Sequence, residues 1–469
     1  MSMPLTPKLI AVLVSAGVSS AVFAEDTSRD AQTNQITTFS AALKQAKQND
    51  PELKYSFHTL QAEQEIDDIA FANLLPSVSL QSSYRYQKVD DYYTEYKEQS
   101  EPEDSQIARN PARYDEDQSD YSYQVKLQQS LINIGAWQAY DSAKEAVRKS
   151  QFTYSRAEQE LIYRLSSAYL KALLAAQQLY INQDKLESLQ LKLDQTQRMN
   201  ELGVGDRLNV LRATSSRDVA RSDLLQSKSE LKDAQTQLEN ITGSSVDIPS
   251  AWVTYGYKVL PNLGNGSEDE WINSIQSNTT LLAEMANVRS KELEADAQKS
   301  QHLPTLNFSL SYVDRHNDDI YSDSSNYIAS LDLTIPIYSG GKTSAQSRRS
   351  EANYNAAQAR YEKLLSDKKQ AVKLAYSQLS SYRERLLALE ESRTSSKTFL
   401  EAAERQADLS LGSQVDVLEA RTELYNVRLQ FAKTLSDYLL SDLNLRLETG
   451  QLNDSTLAQY DNLFASNAK

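Results

Sequence analysis

The chain has no cysteine among its 469 residues. Disulfide staples, thiolate metal sites, cysteine nucleophiles and the lipidated cysteine that anchors bacterial lipoproteins are all excluded. Turn-formers are scarce as well, 12 Gly and 10 Pro, so long and rarely interrupted helices are the economical explanation. Histidine is limited to His58, His302 and His316, scattered without metal-ligand spacing. His302, just before a strand-opening Leu-Pro, reads as an interface residue. Positive charge is in deficit, 49 Lys and Arg against 64 Asp and Glu, giving a net charge of −15. Nucleic acid is therefore set aside as a partner, because its binding depends on clustered Lys and Arg. Long apolar runs are confined to "LIAVLVSAGVSSAVFA" within the first 24 residues. With a Lys before it and "EDTSRD" after it, this run reads as a secretory signal peptide over residues 1–24, cut after Ala24 with Val22 at the −3 place. No later stretch reaches the ~18 apolar residues that a membrane-spanning helix needs.

What the chain does have is a repeat. "NDPELKYS" from Asn49 and "LLPSVSLQSSYRYQ" reappear as "SNTTLLAE" from Ser277 and "HLPTLNFSLSYVDR", pairing Leu53 with Leu281 and Pro76 with Pro304. The halves close on "ITG" and "ETG", at Gly243 and Gly450. Self-similarity of this kind governs the fold assignment. Each half reads as helix, strand, loop, strand, very long helix, tight turn, helix.

The first repeat is expected over 39–243, with strands about 77–88 and 120–132 and helices about 52–75, 137–202 and 209–242. A linker at 244–267 contains Pro249, Pro261, Gly264 and Gly266. The second repeat is expected over 268–450, with strands about 305–314 and 326–337 and helices about 279–302, 341–409 and 414–448. Residues 451–469 read as a polar C-terminal tail.

The strands alternate with period 2. Val78, Leu80, Tyr84 and Tyr86 oppose Gln81 and Arg85; Val125 and Leu127 oppose Gln124 and Lys126; Leu306 and Phe308 oppose Asn307; Leu331 and Leu333 oppose Asp332. A half-solvated soluble sheet has this pattern. So does a lipid-facing barrel wall. Strand lengths near ten residues, tyrosines at the loop-side ends and a long acidic loop from Lys88 to Asp120 favour the wall. Gln81, Arg85, Gln124, Lys126, Asn307 and Asp332 then face the lumen. Four strands cannot close a membrane barrel, whose minimum is ~8, so chains must combine: two copies supply 8 strands, three supply 12.

The two long helices each carry 4-3 apolar spacing, beginning at Leu161 and Leu165 in the first and at Ala375 and Leu379 in the second, a coiled-coil seam with small and polar members. At 1.5 Å per residue each helix spans ~100 Å. The turns at Gly203–Leu208 and Ser410–Ser413 therefore lie at the end remote from the strands.

The combination of "LPSVSL" and "LPTLNF" opening strands, "LTIPIYSGGK" closing them and "SQVDVLEA" after the second long helix resembles the TolC family of outer-membrane channel proteins. The resemblance implies a mixed α+β membrane protein with two internal structural repeats. A homotrimer builds a 12-stranded β-barrel, four strands per protomer, continued by an α-helical coiled-coil barrel. It also implies residence in the Gram-negative outer membrane with a long periplasmic portion, contact with outer-membrane lipid, and two partners: a periplasmic adaptor and an inner-membrane transporter of RND, ABC or MFS type. The expected function is that of an exit duct for efflux or type I secretion, gated at the periplasmic helix tips. No enzyme activity and no cofactor are expected. A structural coiled-coil protein and a general diffusion porin stand as alternatives.

By motif position the resemblance places a gate and selectivity ring at Asp416 and Glu419. Asp416 has a second reading, since Ser413 and Asp416 have capping-box spacing. Glu419 at i+3 shares its face and is not explained by capping. Gly203, Gly205, Asp206, Arg207, Leu411, Gly412 and Ser413 are the expected tip and adaptor-contact residues. "VDVLEA" is the copy expected to face the pore, and "LNVLRA" from Leu208 the outer one. The family's closed tip is latched by an aromatic, an arginine and an aspartate. The matching positions here are Ala407, Gly412 and Asn209, so any latch uses other residues; Arg207 and Arg212 are possible contributors.

Overall fold

The computed structural model describes residues 38–88, 117–254, 263–317, 323–409 and 413–467. The signal peptide expected at 1–24, the loop residues 89–116, and Leu411 and Gly412 lie outside them.

Helix α1 (Phe39–Asn49) and helix α2 (Pro51–Ala72) are divided at Asp50, whose carboxylate accepts from the Leu53 N–H at 2.8 Å while Pro51 takes the first helical position. Strand β1 (Ser77–Lys88) pairs antiparallel with β2 (Asp117–Ile132), and α3 (Ile134–Glu201) descends for 68 residues to a turn from which α4 (Arg207–Thr242) returns. The linker holds a short helix α5 (Ser250–Thr254) with Trp252 buried, followed by α6 (Glu268–Asn273). The second repeat runs α7 (Thr279–Lys299), β3 (Thr305–Asn317), β4 (Ser324–Thr334), α8 (Lys342–Asp408) and α9 (Gln414–Glu448). Strand β4 stops before Pro336, which has no N–H to donate, so Ile335 and Ile337 lie beyond it and not within the strand expected to 337.

The polar tail expected over 451–469 is corrected as well: its described part holds helix α10 (Asp454–Asn467). Its Leu457, Tyr460 and Phe464, at helical spacing, are buried. Phe464 stacks on Trp252 with ring centroids 4.9 Å apart, and Phe39 meets Tyr169 at 4.0 Å. The Asp461 carboxylate accepts from the Phe39 and Ser40 N–H groups at 2.8 and 3.1 Å, capping α1 from 422 residues away in sequence. Tyr460 donates to the wholly buried Asp442 at 2.8 Å, and burial, then the Asp442 charge, pushes its phenol far up. The apolar positions were diluted by Asp, Ser, Gln and Asn, which is why composition alone hid them.

The four strands form one antiparallel sheet in the order β1-β2-β3-β4. Their register aligns rows across all four: Leu80, Val125, Tyr312 and Tyr327 in one, Val78, Leu127, Leu310 and Ala329 in the next. The outer strands leave this face open, with Leu80 73% and Tyr327 81% exposed. A contiguous apolar sheet face left uncovered marks a surface destined for lipid or another protein. No helix among the described residues is long and apolar enough to cross a membrane.

On the helical side, α3 lies between α2 and α7 near the sheet and beside α4 and α9 further down; α8 packs on α7 and then on α9. The 4-3 positions form the contacts: Leu161, Ala168, Ala175, Asn182, Leu189 and Thr196 in α3, and Ala375, Leu379, Leu386 and Ala403 in α8, are all buried. Both repeats end on a glycine of positive φ, Gly243 at 71° and Gly450 at 73°. A Cβ on Gly450 would sit 2.2 Å from the Ser277 carbonyl oxygen, so this close approach admits only glycine. The protomer is left with two lateral edges. One comprises β1, α2 and α4, the other β4 and α8.

Candidate functional site

The candidate site is the pair of hairpin tips remote from the sheet. At the first tip the Leu202, Gly203 and Val204 N–H groups donate to the Arg198, Asn200 and Met199 carbonyls, at 3.0, 3.1 and 3.0 Å. Gly203 takes φ 77°, and a Cβ on Gly205 would meet the Asn200 nitrogen at 2.7 Å. Asp206 caps α4 by accepting from the Leu208 N–H at 3.1 Å. Arg207, Arg212 and the apolar Leu202, Val204, Leu208 and Leu211 are exposed around this turn.

At the second tip Ser413 caps α9, its hydroxyl accepting from the Val415 N–H at 3.0 Å, while the Asp416 carboxylate accepts from the Ser413 N–H at 3.3 Å. The capping reading of Asp416 therefore describes a real contact. Its side chain nevertheless remains exposed, as does Glu419. Val417 and Ala420 are buried against Ala403 of α8, with Leu400 and Ala407 flanking. That packing fixes the rotation of α9 and turns its acidic face outward from the hairpin. Glu423, also exposed, extends this face at i+7 from Asp416. Sequence reading stopped at Glu419, although the i, i+3, i+7 spacing was there to be followed.

Tracing α9 further shows what joins the hairpins. Arg421 donates to the Ser188 hydroxyl and, at 3.2 Å, to the Ser188 carbonyl on α3, and its other terminal nitrogen pairs with Glu404 on α8. Two turns on, Arg428 pairs with Asp184 of α3 at 2.6 Å and its guanidinium lies 5.3 Å from the Tyr425 ring centroid. Burial, partly offset by a hydrogen bond with Ser188, pushes the Tyr425 phenol up. Sequence reading missed Arg421, Arg428, Asp184, Ser188 and Glu404, because Ser188 and Asp184 lie 233 and 244 residues from their arginines, Glu404 lies across the turn, and no local motif marks any of them. Of the positions where a latch was sought, Ala407 is half-buried in the hairpin seam and Asn209 sits in the first turn of α4.

At the opposite end, register places all six candidate lumen residues on one face of the sheet. Gln81 is opposite Gln124, Lys126 is next along β2, Asn307 faces Asp332, and Arg85 faces Asp120. Val313 and Ile328 interrupt this polar face. Of the histidines, His58 accompanies Gln61 on exposed α2, His302 is exposed, and His316 stacks on Tyr121 at 4.8 Å.

The sequence model of the family described as outer membrane efflux protein matches residues 42–244 and 272–451. The chain is 25% identical over 460 residues to the outer membrane protein TolC of Vibrio cholerae serotype O1, covering 95% of this chain and 96% of that one. It is 24% identical to the proteases secretion protein PrtF of Dickeya chrysanthemi, covering 90% of each. Among solved structures, CusC superposes with a TM-score of 0.74 at 15% identity, over 88% of this chain and 92% of that one. The open state of the Neisseria gonorrhoeae MtrE channel gives 0.70 at 16% identity, over 88% and 89%.

Proposed function

This chain belongs to the outer membrane efflux protein family and is an outer-membrane exit duct for efflux or type I secretion; on that premise we propose that it works as a homotrimer, gated at the tips of α8 and α9. The observation that carries this reading is the pairing of an uncovered apolar sheet face and two unpaired sheet edges at one end with an exposed acidic stripe at the other. Backbone N–H and C=O groups cannot be left unpaired in hydrocarbon, so β4 of one protomer meets β1 of the next until the wall closes, at 12 strands for three copies. Gln81, Arg85, Gln124, Lys126, Asn307 and Asp332 then line a water-filled lumen.

At the far end, threefold symmetry collects three copies of Asp416, Glu419 and Glu423 around one axis. Clustered carboxylates in a narrow passage concentrate cations and repel anions. Opening separates α9 from α3, so Arg421 on Ser188 and Arg428 on Asp184 are the contacts that hold the tip closed, in place of the residues sought at Ala407, Gly412 and Asn209. The first tip, with Gly203, Gly205, Asp206, Arg207 and its exposed leucines, meets a periplasmic adaptor, as do Leu411, Gly412 and Ser413 of the second. The duct has no catalytic role. Energy comes from an inner-membrane transporter reached through that adaptor.

The test is extraction from membranes followed by mass measurement and planar-bilayer recording. A detergent-requiring trimer with a cation-preferring conductance that is mostly shut supports the proposal. A soluble rod without conductance refutes it, and a pore open without any partner refutes the gate.

A further inference from the structure

The two lateral edges of the protomer differ in charge. Helix α2 carries Glu52, Glu63, Glu65, Asp67 and Asp68 against a single Lys54. The stretch of α8 nearest the sheet, residues 342–376, carries eight Lys and Arg against three acids. The segregation is local. Helix α4 has six bases and five acids, and residues 377–408 of α8 have five bases and six acids.

Ion pairs within the protomer do not use up these charges. Glu52 pairs with Arg164, Arg360 with Glu284, Lys363 with Asp367, Lys368 with Glu448 and Lys373 with Glu268. Among the described residues that leaves four acids (Glu63, Glu65, Asp67, Asp68) and one base (Lys54) on α2, and four bases (Lys342, Arg348, Arg349, Lys369) and two acids (Glu351, Glu362) on this stretch of α8, in no ion pair, so the opposite signs of the two edges survive. The buried Leu53 and the half-buried Ser56, Leu60, Glu63, Asp67 and Ala70 mark the side of α2 turned to α3, and Glu65 and Asp68 are exposed beside that row. Ser350 and Ala357 mark the side of α8 turned to α7. At 3.6 residues per turn Arg348 lies on the opposite side, together with the small Ala345, Ala352 and Ala359 that permit close approach. Asp68 and Arg348 both lie within about two turns of the sheet end of their helices.

We propose that α2 of one protomer docks against the sheet-proximal part of α8 of a second copy of this chain through a charge-matched seam, with Glu65 and Asp68 facing Arg348 and Arg349. This rests on the ring reading above and adds to it the contact that orders the ring below the membrane. In a ring the β1–α2 edge of each copy meets the β4–α8 edge of the next, so one heterologous contact is repeated at every junction. Two acidic edges or two basic edges repel, so only the head-to-tail arrangement that closes the wall is favoured. Ring assembly then weakens as salt screens the seam, over a Debye length of about 10 Å at 0.1 M.

The experiment uses the full chain purified in detergent. Trimer dissociation is measured at about 50 mM and 500 mM salt for the wild type, for Glu65→Lys with Asp68→Lys, for Arg348→Glu with Arg349→Glu, and for all four together. Each double reversal is expected to loosen the trimer by about tenfold or more at low salt, and the fourfold swap to restore it. Asp68→Cys with Arg348→Cys, in a chain that has no other thiol, is expected to give chain-to-chain products with a short bis-maleimide. An intact trimer whose stability and salt dependence ignore the reversals, or one that yields no chain-to-chain product, overturns the seam while leaving the ring in place. A wild-type chain that is monomeric in every detergent overturns both.

Discussion

Replacing Arg421 with Ala removes the contact that ties α9 to α3 near the tip. The Arg421 side chain is 17% exposed, and Ser188 receives it through both carbonyl and hydroxyl. A hydrogen bond from a charged donor contributes about 1.5–3 kcal/mol, and the partial exposure argues for the lower end. The Glu404 contact lies within the α8–α9 hairpin, so it survives a movement of that hairpin as a unit. With about 1.5 kcal/mol lost per protomer, three hairpins opening in one step shift the closed-to-open ratio by about 4.5 kcal/mol, or ~1000-fold; hairpins opening singly shift it by only ~10-fold. Open probability of the purified trimer in planar bilayers separates these cases. Because the Arg421 contact is mostly buried, the effect should persist at high salt, whereas Arg428→Ala, removing a more exposed ion pair, should give a smaller effect that salt erases. An Arg421→Ala trimer that assembles normally and keeps the wild-type open probability would refute the assignment of this contact as the latch.

Neutralising the acidic stripe with Asp416→Asn, Glu419→Gln and Glu423→Gln should lower cation preference and weaken block by multivalent cations, with the largest loss when all three are changed; unchanged reversal potentials would place the constriction elsewhere. Phe464→Ala empties an aromatic cluster in which that ring is 2% exposed, and should cost about 3–5 kcal/mol, read as a lower midpoint of thermal unfolding followed by circular dichroism. Burial holds the Asp437 carboxyl above its ordinary range despite the lowering effect of Lys433 and Arg385. A raised folded-state pKa means stability is full below the unfolded value and is lost as pH rises through the folded one. Asp437→Asn should therefore raise the thermal midpoint at pH 7 and leave it unchanged near pH 3.

Periodicity made most of this fold legible. Period-2 alternation in Val78–Tyr86 and Leu306–Leu310, 4-3 spacing in the long helices and the doubled Leu-Pro and Thr-Gly landmarks are local signals that tertiary packing reinforces. Helix α10 escaped because its aromatic anchors Tyr460 and Phe464 meet the Phe39 and Trp252 rings, hundreds of residues away, and Tyr460 also bonds Asp442 of α9, while its remaining positions look like a solvated tail. The acidic stripe was partly legible because Asp416 and Glu419 sit within one motif. The Arg421 and Arg428 contacts were not, because an arginine on a helix gives no hint of its partner until the rotation of that helix is fixed by Val417 and Ala420. Capping chemistry was read correctly at Ser413 and Asp416, yet that reading alone could not tell a capping acid from one that also faces open space.

The sheet has a genetic consequence. Among its described residues each chain supplies four strands and two unfinished edges, so in the proposed trimer the wall is common property and a single faulty member spoils the whole. In a cell making sound and defective copies in equal amounts, with both able to join, only about one eighth of rings would be wholly sound. A defective copy that still assembles is then more harmful than one that never folds. Dominance in mixed expression, rather than simple loss, is the inheritance pattern that such a shared wall predicts.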